Sequence, residues 1–464
     1  MRPVPAAAPW AAPLFTFGVT GTNGKTSTTW MIAAALRAAA LSTLRISTLG
    51  VALDDEEWPR GKTFAAFLAT LERAAARGCR HAVVEATSLA LAQGYARAWR
   101  FDLGVFTNLS PDHFATHGSW EHYLAAKAQL FMQLGPGRTA VLNAADPHAL
   151  YLDQAIPGDV ERRWFASPGR GERLRGAELE AASVEVSPAG TRVVLRPSAA
   201  ATALGGVLNT RMIGEVFAEN ALAAALAGLA VGLEPDAVAR GIAACPVVPG
   251  RFEVVDHGPE RATIVVDYAH SPDALARTCA AARQLAEGSG RVIVVFGAGG
   301  DATPGKRGPM GAAVGVRADL AIVTSDNPRD EDPEAIAAAV VEGLRGGRRR
   351  GRSSSIERRD PPRDHGGPRR RRRRDRRQGP RGRAGHPRSE PAILGRRGGA
   401  PLPRALRRSA GVAAARAQHF ASSEPSAQSA NSSQTKVAGM WMPSPHTKGS
   451  RLQPSTSSDW SAQS

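Results

Sequence analysis

The chain has 464 residues, with 59 Lys and Arg against 42 Asp and Glu and a formal net charge of +17. The charge is uneven: residues 345–464 hold 28 basic against 7 acidic side chains, and the preceding 344 residues hold 31 against 35. The basic balance therefore describes one segment, and it gives no reason to assign a polyanion partner to the mildly acidic body.

The length suffices for two or three domains with their own cores. No apolar run approaches the ~18 residues of a membrane span, and MRPVPAAAPWAAPLF lacks the apolar centre of a signal peptide. Cys79, Cys245 and Cys279 are too far apart for a metal motif or a disulfide framework, which points to a reducing compartment. The expectation is a cytoplasmic protein with no membrane partner.

In chain order, FTFGVT, HAVVEA, LGVFTN, AVLN, TIVVDY, RVIVVFG and LAIVTS read as strands. WMIAAALRAAAL, FLATLERAAA, WEHYLAAKAQLFMQL, NALAAALAGLA and SPDALARTCAAARQLA read as helices between them. That rhythm predicts an α/β fold built on a mainly parallel sheet. Residues 160–210 alternate like a small antiparallel appendage, and CPVVPG at 245–250 marks a boundary. The predicted organisation is a leader at 1–13, a central phosphate-loop domain at 14–245, a partial Rossmann-like domain at 246–345 and a disordered basic tail at 346–464. The tail is Arg/Gly/Pro-rich and then Ser/Gln/Pro-rich, and has too little apolar surface to offset its ordering entropy.

GVTGTNGKTSTTW places Gly21, Thr22, Asn23, Gly24, Lys25, Thr26 and Ser27 between a predicted strand and a predicted helix. Glycines there let backbone N–H groups converge on a phosphate at a helix N-terminus; a lysine meets the terminal phosphates and a hydroxyl serves Mg²⁺. This is a nucleotide site by residue type and position.

GTNGKT, VVEATS, VFTNLSPDHFATHGSWEHYLAAKAQLF, NALAAALA, PGRFEVV, VDYAHSPDAL, FGAGGD with GKRGPMG, and TSDNPR follow one another as in the Mur ligases. Over residues 14–344 the chain resembles that family, above all the type that adds the third amino acid to a UDP-N-acetylmuramoyl dipeptide. The resemblance implies an ATP- and Mg²⁺-dependent ligase in which a carboxylate takes the γ-phosphoryl group and an amine then displaces phosphate. It implies Lys25 on the β/γ-phosphates, Thr26 and Glu85 on one Mg²⁺ and His113 on a second. Lys127, which alone would read as a snorkelling lysine, is by resemblance carbamylated and so able to ligate Mg²⁺. Asn220, Arg251 and Asp267 match nucleotide positions, although Arg251 equally suits a domain-interface salt bridge. Lys306 and Arg307 are further phosphate-side candidates. Ser88 and Gln93 match substrate contacts. Asp326, Asn327 and Arg329 of DNPR resemble the signature for meso-diaminopimelate, whose distal carboxylate an arginine would pair; without the resemblance, DNP is simply a good turn. The substrates are small molecules, and a monomer with no specific nucleic-acid partner is expected.

The chain departs from the family pattern at several points. The phosphate loop begins at residue 21, where the family carries a UDP-gripping domain first. GKTFAAF stands where a Thr-Thr-Pro contacts the muramoyl group, Leu89 replaces a histidine, and Tyr95 replaces an arginine. The AGKGHE motif expected after the DNPR helix is absent. Yet Arg376-Arg377-Gln378-Gly379-Pro380-Arg381-Gly382, encoded CGC CGG CAA GGG CCA CGA GG, reads Ala-Gly-Lys-Gly-His-Glu one base later. PPRDHGG at 361–367 can likewise read Arg-Arg-Ala-Ile-x-Glu-Ala. Residues from about 345 onward are thus expected to be an out-of-frame translation, in which the arginine run is no RNA-binding arm: it lacks the interleaved aromatics and folded module of specific recognition. Three other readings stand beside the leading one: a ligase for a carboxylate without UDP, an inactive remnant, and an RNA-binding protein.

Overall fold

The computed structural model describes residues 9–110, 117–167, 173–258, 261–286, 290–300, 303–347 and 356–359. Eleven strands form one sheet in the order β11-β10-β9-β8-β7-β6-β1-β5-β2-β3-β4. Its middle is parallel: β1 (Phe15–Thr20) lies between β5 (His81–Glu85) and β6 (Leu103–Phe106), flanked by β2 (Thr43–Ser47) on one side and β7 (Thr139–Asn143) and β8 (Glu161–Ala166) on the other. The central strands β1, β6 and β7 are largely β-branched or apolar on both faces, as a sheet covered by helices on both sides requires. All of β6 and β7 is buried.

Two features of this sheet were not expected. The antiparallel strands β9 (Leu179–Ser187), β10 (Gly190–Leu195) and β11 (Val207–Thr210) continue the main sheet, with β9 parallel to β8, rather than forming a separate appendage. At the opposite edge, β3 (Gly50–Leu53) and β4 (Glu56–Trp58) extend β2 by antiparallel pairing. Their pairing depends on packing and context more than on the composition of each strand.

Helix α1 (Lys25–Ala38) follows β1. Next come α2 (Phe64–Ala76), α3 (Ser88–Ala92), α4 (Tyr95–Ala98), α5 (Trp120–Met132), α6 (His148–Ala155) and α7 (Ala199–Ala203). Helix α8 (Glu215–Ala230) is buried almost all round, as its run of Ala and Leu with no polar stripe dictates; α9 (Pro235–Ala244) follows it. Part of the predicted leader is ordered. Pro9–Ala11 forms a 3₁₀ turn, and Trp10 stacks on Trp99 with ring centroids 5.8 Å apart.

After the boundary, β12 (Glu253–Gly258) and β13 (Arg261–Val266) pair as an antiparallel ribbon. TIVVDY is therefore not a strand of the second parallel sheet. That sheet is β14 (Ile293–Phe296), β15 (Leu320–Thr324) and β16 (Ile356–Arg359), all parallel. It packs with α10 (Pro272–Leu285), α11 (Arg307–Gly315) and α12 (Pro333–Gly346) around Leu275, Met310, Val323 and Val340. Strand β16 lies inside the segment expected to be a structureless tail from 346. An open parallel edge at β15 would offer a full row of backbone groups, and Ile356–Arg359 supplies a short strand to meet it. Among the described residues no helix is long and apolar enough to cross a membrane.

Burial pushes the Cys245 thiol up to about 12 and the Cys279 thiol to about 11, and all three cysteines are buried and free. Burial also lowers the His81 pKa, and its Nδ1 has no hydrogen-bond partner. A depressed folded-state value means the unfolded chain binds the proton more readily, so His81 favours folding above about pH 6.5 and the benefit fades as pH falls below it. Thermal melts between pH 7.5 and 5.5 (roughly the range spanned by histidine titration) should show falling stability, with a shallower slope in His81→Asn.

Candidate active site

The C-terminal ends of β1, β5 and β6 converge where the strand order reverses about β1, the position at which open α/β sheets bind ligands. The loop after β1 turns on Gly21 (φ 150°) and Gly24 (φ 84°). It is held from below: Asn23 N donates to Asn108 Oδ1 at 3.0 Å, and Thr107 Oγ1 donates to Asn23 O at 2.7 Å. Ser110 N donates to Thr22 Oγ1 at 3.0 Å. Helices α2, α3, α5, α7 and α10 begin with a Ser or Thr whose side chain accepts from the first turn. Helix α1 has Gly24 as its N-cap and so no side-chain cap, which leaves its first N–H groups for an anion.

Lys25 heads that helix, its Nζ donating to the carbonyls of Gly21 (3.1 Å) and Thr22 (2.8 Å). Ser27 is buried one residue past Thr26. Glu85, at the end of β5, receives three bonds on one oxygen: from Thr26 Oγ1 at 3.1 Å, Thr48 N at 2.9 Å and Thr48 Oγ1 at 3.1 Å. Arg251 reaches over from beyond the boundary, its Nη2 donating to Thr26 Oγ1 at 3.3 Å and its guanidinium lying 4.7 Å from the Tyr268 ring centroid. Lys127 comes up from α5 with 1% exposure; its Nζ donates to Gly21 O at 2.7 Å and lies 4.3 Å from the Tyr123 ring centroid. The structure thus brings together Lys25, Thr26, Glu85, Lys127 and Arg251. His113 lies outside the described residues.

Asn220 sits in the second turn of α8, 1% exposed, and both atoms of its amide are buried without a hydrogen-bond partner. Its Oδ1 lies so close to Gly24 that a Cβ built there would be 2.2 Å away. A buried amide left unsatisfied at a phosphate loop calls for a polar partner. The oxygen donors of Thr26 and Glu85 suit a hard cation, and Mg²⁺ commonly takes one or two carboxylates and completes its shell with water and phosphate oxygens.

Other expected residues are occupied differently. The Asp267 carboxylate accepts from Phe252 N (2.7 Å), Ala269 N (2.9 Å) and Thr278 Oγ1 (2.9 Å), tying the β12–β13 ribbon to α10 beside Arg251. Arg307, 6% exposed, is paired with Glu331 at 2.7 Å, and its Nε is buried without a hydrogen-bond partner. Asp326 and Asn327 are exposed, and Arg329 holds a positive φ of 52° and donates to Gly300 O at 2.7 Å. Ser88 is buried and bonded to His117 Nε2 at 3.0 Å, and Gln93 is exposed. His117 was not singled out from the sequence. Burial and the neighbouring Lys127 lower its pKa; the second histidine of SPDHFATH was the available signal.

These elements define an α/β protein of the phosphate-loop class with a second α/β part. The family model of the Mur ligase middle domain matches residues 19–228, and that of the Mur ligase glutamate ligase domain matches 250–360. UDP-N-acetylmuramoyl-L-alanyl-D-glutamate–2,6-diaminopimelate ligase of Geobacter metallireducens is 39% identical over 340 residues, covering 71% of this chain and 63% of the relative. The enzyme of the same name from Streptomyces coelicolor is 39% identical over 341 residues, with 71% and 63% covered. A solved structure of a ligase of that name superposes with a TM-score of 0.53 at 31% identity, covering 75% of this chain and 68% of that one. Folylpolyglutamate synthase of Mycobacterium tuberculosis shares the fold, with a TM-score of 0.58 at 22% identity and 75% and 83% covered. The chain belongs to the Mur ligase family. It spans 63% of the length of the first of these curated relatives, less than two thirds.

Proposed function

We propose that the chain is an ATP-dependent carboxylate–amine ligase of peptidoglycan precursor synthesis. The orphaned Asn220 amide against the phosphate loop is the observation that carries this reading, since a buried amide at that spot calls for a polar partner. A substrate carboxylate oxygen attacks the γ-phosphorus of ATP and the bond to the β–γ bridging oxygen breaks, giving ADP and an acyl phosphate. The amine of an amino acid then attacks the acyl carbon, phosphate leaves, and the amine proton is lost to solvent or a base. Such chemistry rests on positioning and charge neutralisation. Lys25 and Arg251 supply fixed positive charge, the uncapped start of α1 supplies N–H donors, and Thr26 with Glu85 would hold Mg²⁺. That ion, when bound, offsets negative charge on the phosphates.

Carbamylation of Lys127 belongs to the same proposal: it would exchange the bond to the Gly21 carbonyl for an anionic metal ligand. The acceptor in this reading is a UDP-muramoyl dipeptide and the amine meso-diaminopimelate, with Asp326, Asn327 and Arg329 at its distal end. The reading places the chain in the cytoplasm as a monomer working on small molecules, with no specific nucleic-acid partner.

A second reading, a carboxylate acceptor lacking UDP, has its own support. Leu89 is 48% exposed, and Tyr95 packs edge-on against Phe64 of GKTFAAF with centroids 4.8 Å apart, so apolar side chains stand at departures from the family's sugar-contacting pattern. Release of ADP and phosphate that requires both the UDP-muramoyl dipeptide and diaminopimelate supports the first reading. Release with a UDP-free acid supports the second, and release with neither overturns both. Labelling with ¹³C-bicarbonate should give a carbamate signal in the native chain and none in Lys127→Arg.

A further inference from the structure

Helix α10 reaches back to the first sheet through charged side chains that none of the roles above uses. Arg277 Nη1 lies 3.0 Å from Glu219 Oε1 on α8, and Arg277 Nε lies 3.1 Å from Asp273 Oδ1 one turn earlier on its own helix. The other oxygen of Asp273 accepts from Asn23 Nδ2 of the phosphate loop at 3.0 Å. Glu219 is 1% exposed and immediately precedes Asn220. A continuous run of hydrogen bonds therefore joins the residue before the orphaned amide, the second α/β part and the phosphate loop. Beside it lies a cavity of about 250 Å³ lined by Gly214, Phe217, Phe252, Asp267 and Arg277.

We propose that Arg277 is a positioning residue for nucleotide binding, one that neutralises Glu219 and Asp273 so that α10 can dock against the phosphate loop without presenting it a bare carboxylate. The inference rests on the ATP reading above. Two carboxylates share one guanidinium, and one of them touches the loop that would receive a polyanion. Without the guanidinium, Glu219 loses its ion-pair partner in a buried setting, which is strongly unfavourable. Asp273 would then set more negative charge against the incoming phosphates. Glu219 and Arg277 are 58 positions apart, so neither residue announces the pair in the sequence.

The test measures binding of a fluorescent ADP analogue to the full chain, with steady-state constants for ATP alongside. Arg277→Met should weaken nucleotide binding and raise the KM for ATP by about tenfold, a typical size for a coupling between sites, with a much smaller change in kcat. Arg277→Lys should recover most of the affinity. Adding Asp273→Asn to Arg277→Met should also recover it, because the bare charge is removed while an acceptor for Asn23 remains. Asp273→Asn alone, which leaves the buried Glu219–Arg277 pair intact should the methionine variant fail to fold, should bind nucleotide more tightly than the native chain. Native-like affinity in Arg277→Met, no recovery in the double variant, or weaker binding in Asp273→Asn overturns the inference while the ATP reading stands. No nucleotide binding by the native chain overturns both.

Discussion

Gly24→Ala should abolish measurable nucleotide binding while the protein still folds. Two independent obstacles meet at this residue. Its φ of 84° is left-handed, which costs an alanine roughly 1–2 kcal/mol. A Cβ there would also lie 2.2 Å from Asn220 Oδ1, a separation no relaxed pair of atoms adopts. Asn220 is 1% exposed on a helix buried almost all round, so it has little room to yield, and the phosphate loop must shift instead. A shifted loop loses both the N–H cradle and the reach of Lys25, and affinity for the ADP analogue should fall at least about a hundredfold, or ~2.7 kcal/mol. Gly78→Ala is the control. Gly78 has nearly the same backbone conformation, φ 85°, with nothing within 4 Å of a built Cβ. It should lower the melting temperature by a few degrees, consistent with about 1 kcal/mol of strain, and leave nucleotide affinity unchanged. Equal binding by Gly24→Ala and the native chain would remove the phosphate loop from the nucleotide site.

What the sequence disclosed and what it hid divide along a physical line. The phosphate loop, β1, β5, β6, β7 and the long helices were legible because each is specified by local periodicity and by glycines whose backbone angles no other residue supplies cheaply. Lys127 and Glu85 were found through the motifs around them, and the structure sets both against the loop that starts at Gly21. The edge strands β3 and β4 were missed because EEW and GVAL carry no period of their own and exist only by pairing outward from β2. TIVVDY has the composition of a buried parallel strand, yet pairs with β12 in a ribbon; composition does not name a strand's neighbour. Arg307 and Asp267 have the right residue types for a phosphate site. Their partners, Glu331 for one and Phe252, Ala269 and Thr278 for the other, follow only from the fold. The same holds for Glu219 with Arg277 and for Ser88 with His117.

Restoring one reading frame near codon 360 should convert the second α/β part from a half-covered sheet into a complete one. The sequence placed the break at about residue 345, but the family match continues to residue 360, and Ile356–Arg359 pairs in parallel with β15. Residue 360 directly precedes PPRDHGG, the stretch that one base later can read Arg-Arg-Ala-Ile-x-Glu-Ala. We propose that the base change lies there, so that a helix and then the AGKGHE strand would follow β16. On β14, Val294 and Phe296 pack into the second core, whereas Ile293 is 38% and Val295 63% exposed on the opposite face. A parallel sheet ordinarily has both faces covered, and β-branched residues left open on one face favour association. The chain in its present frame should therefore bind a hydrophobic dye and aggregate on heating, and Val295→Ser should reduce both effects. The frame-restored chain should show neither effect, melt cooperatively and at higher temperature, and be destabilised by the same substitution, because Val295 would then be buried. That reversal of sign is the decisive reading: if Val295→Ser helps both chains alike, the restored segment does not complete the sheet. Sequencing an independent DNA preparation through codons 355–382 (the interval from β16 to the displaced motif) supplies the matching genetic test, and an unchanged frame there would make the arginine run part of the protein.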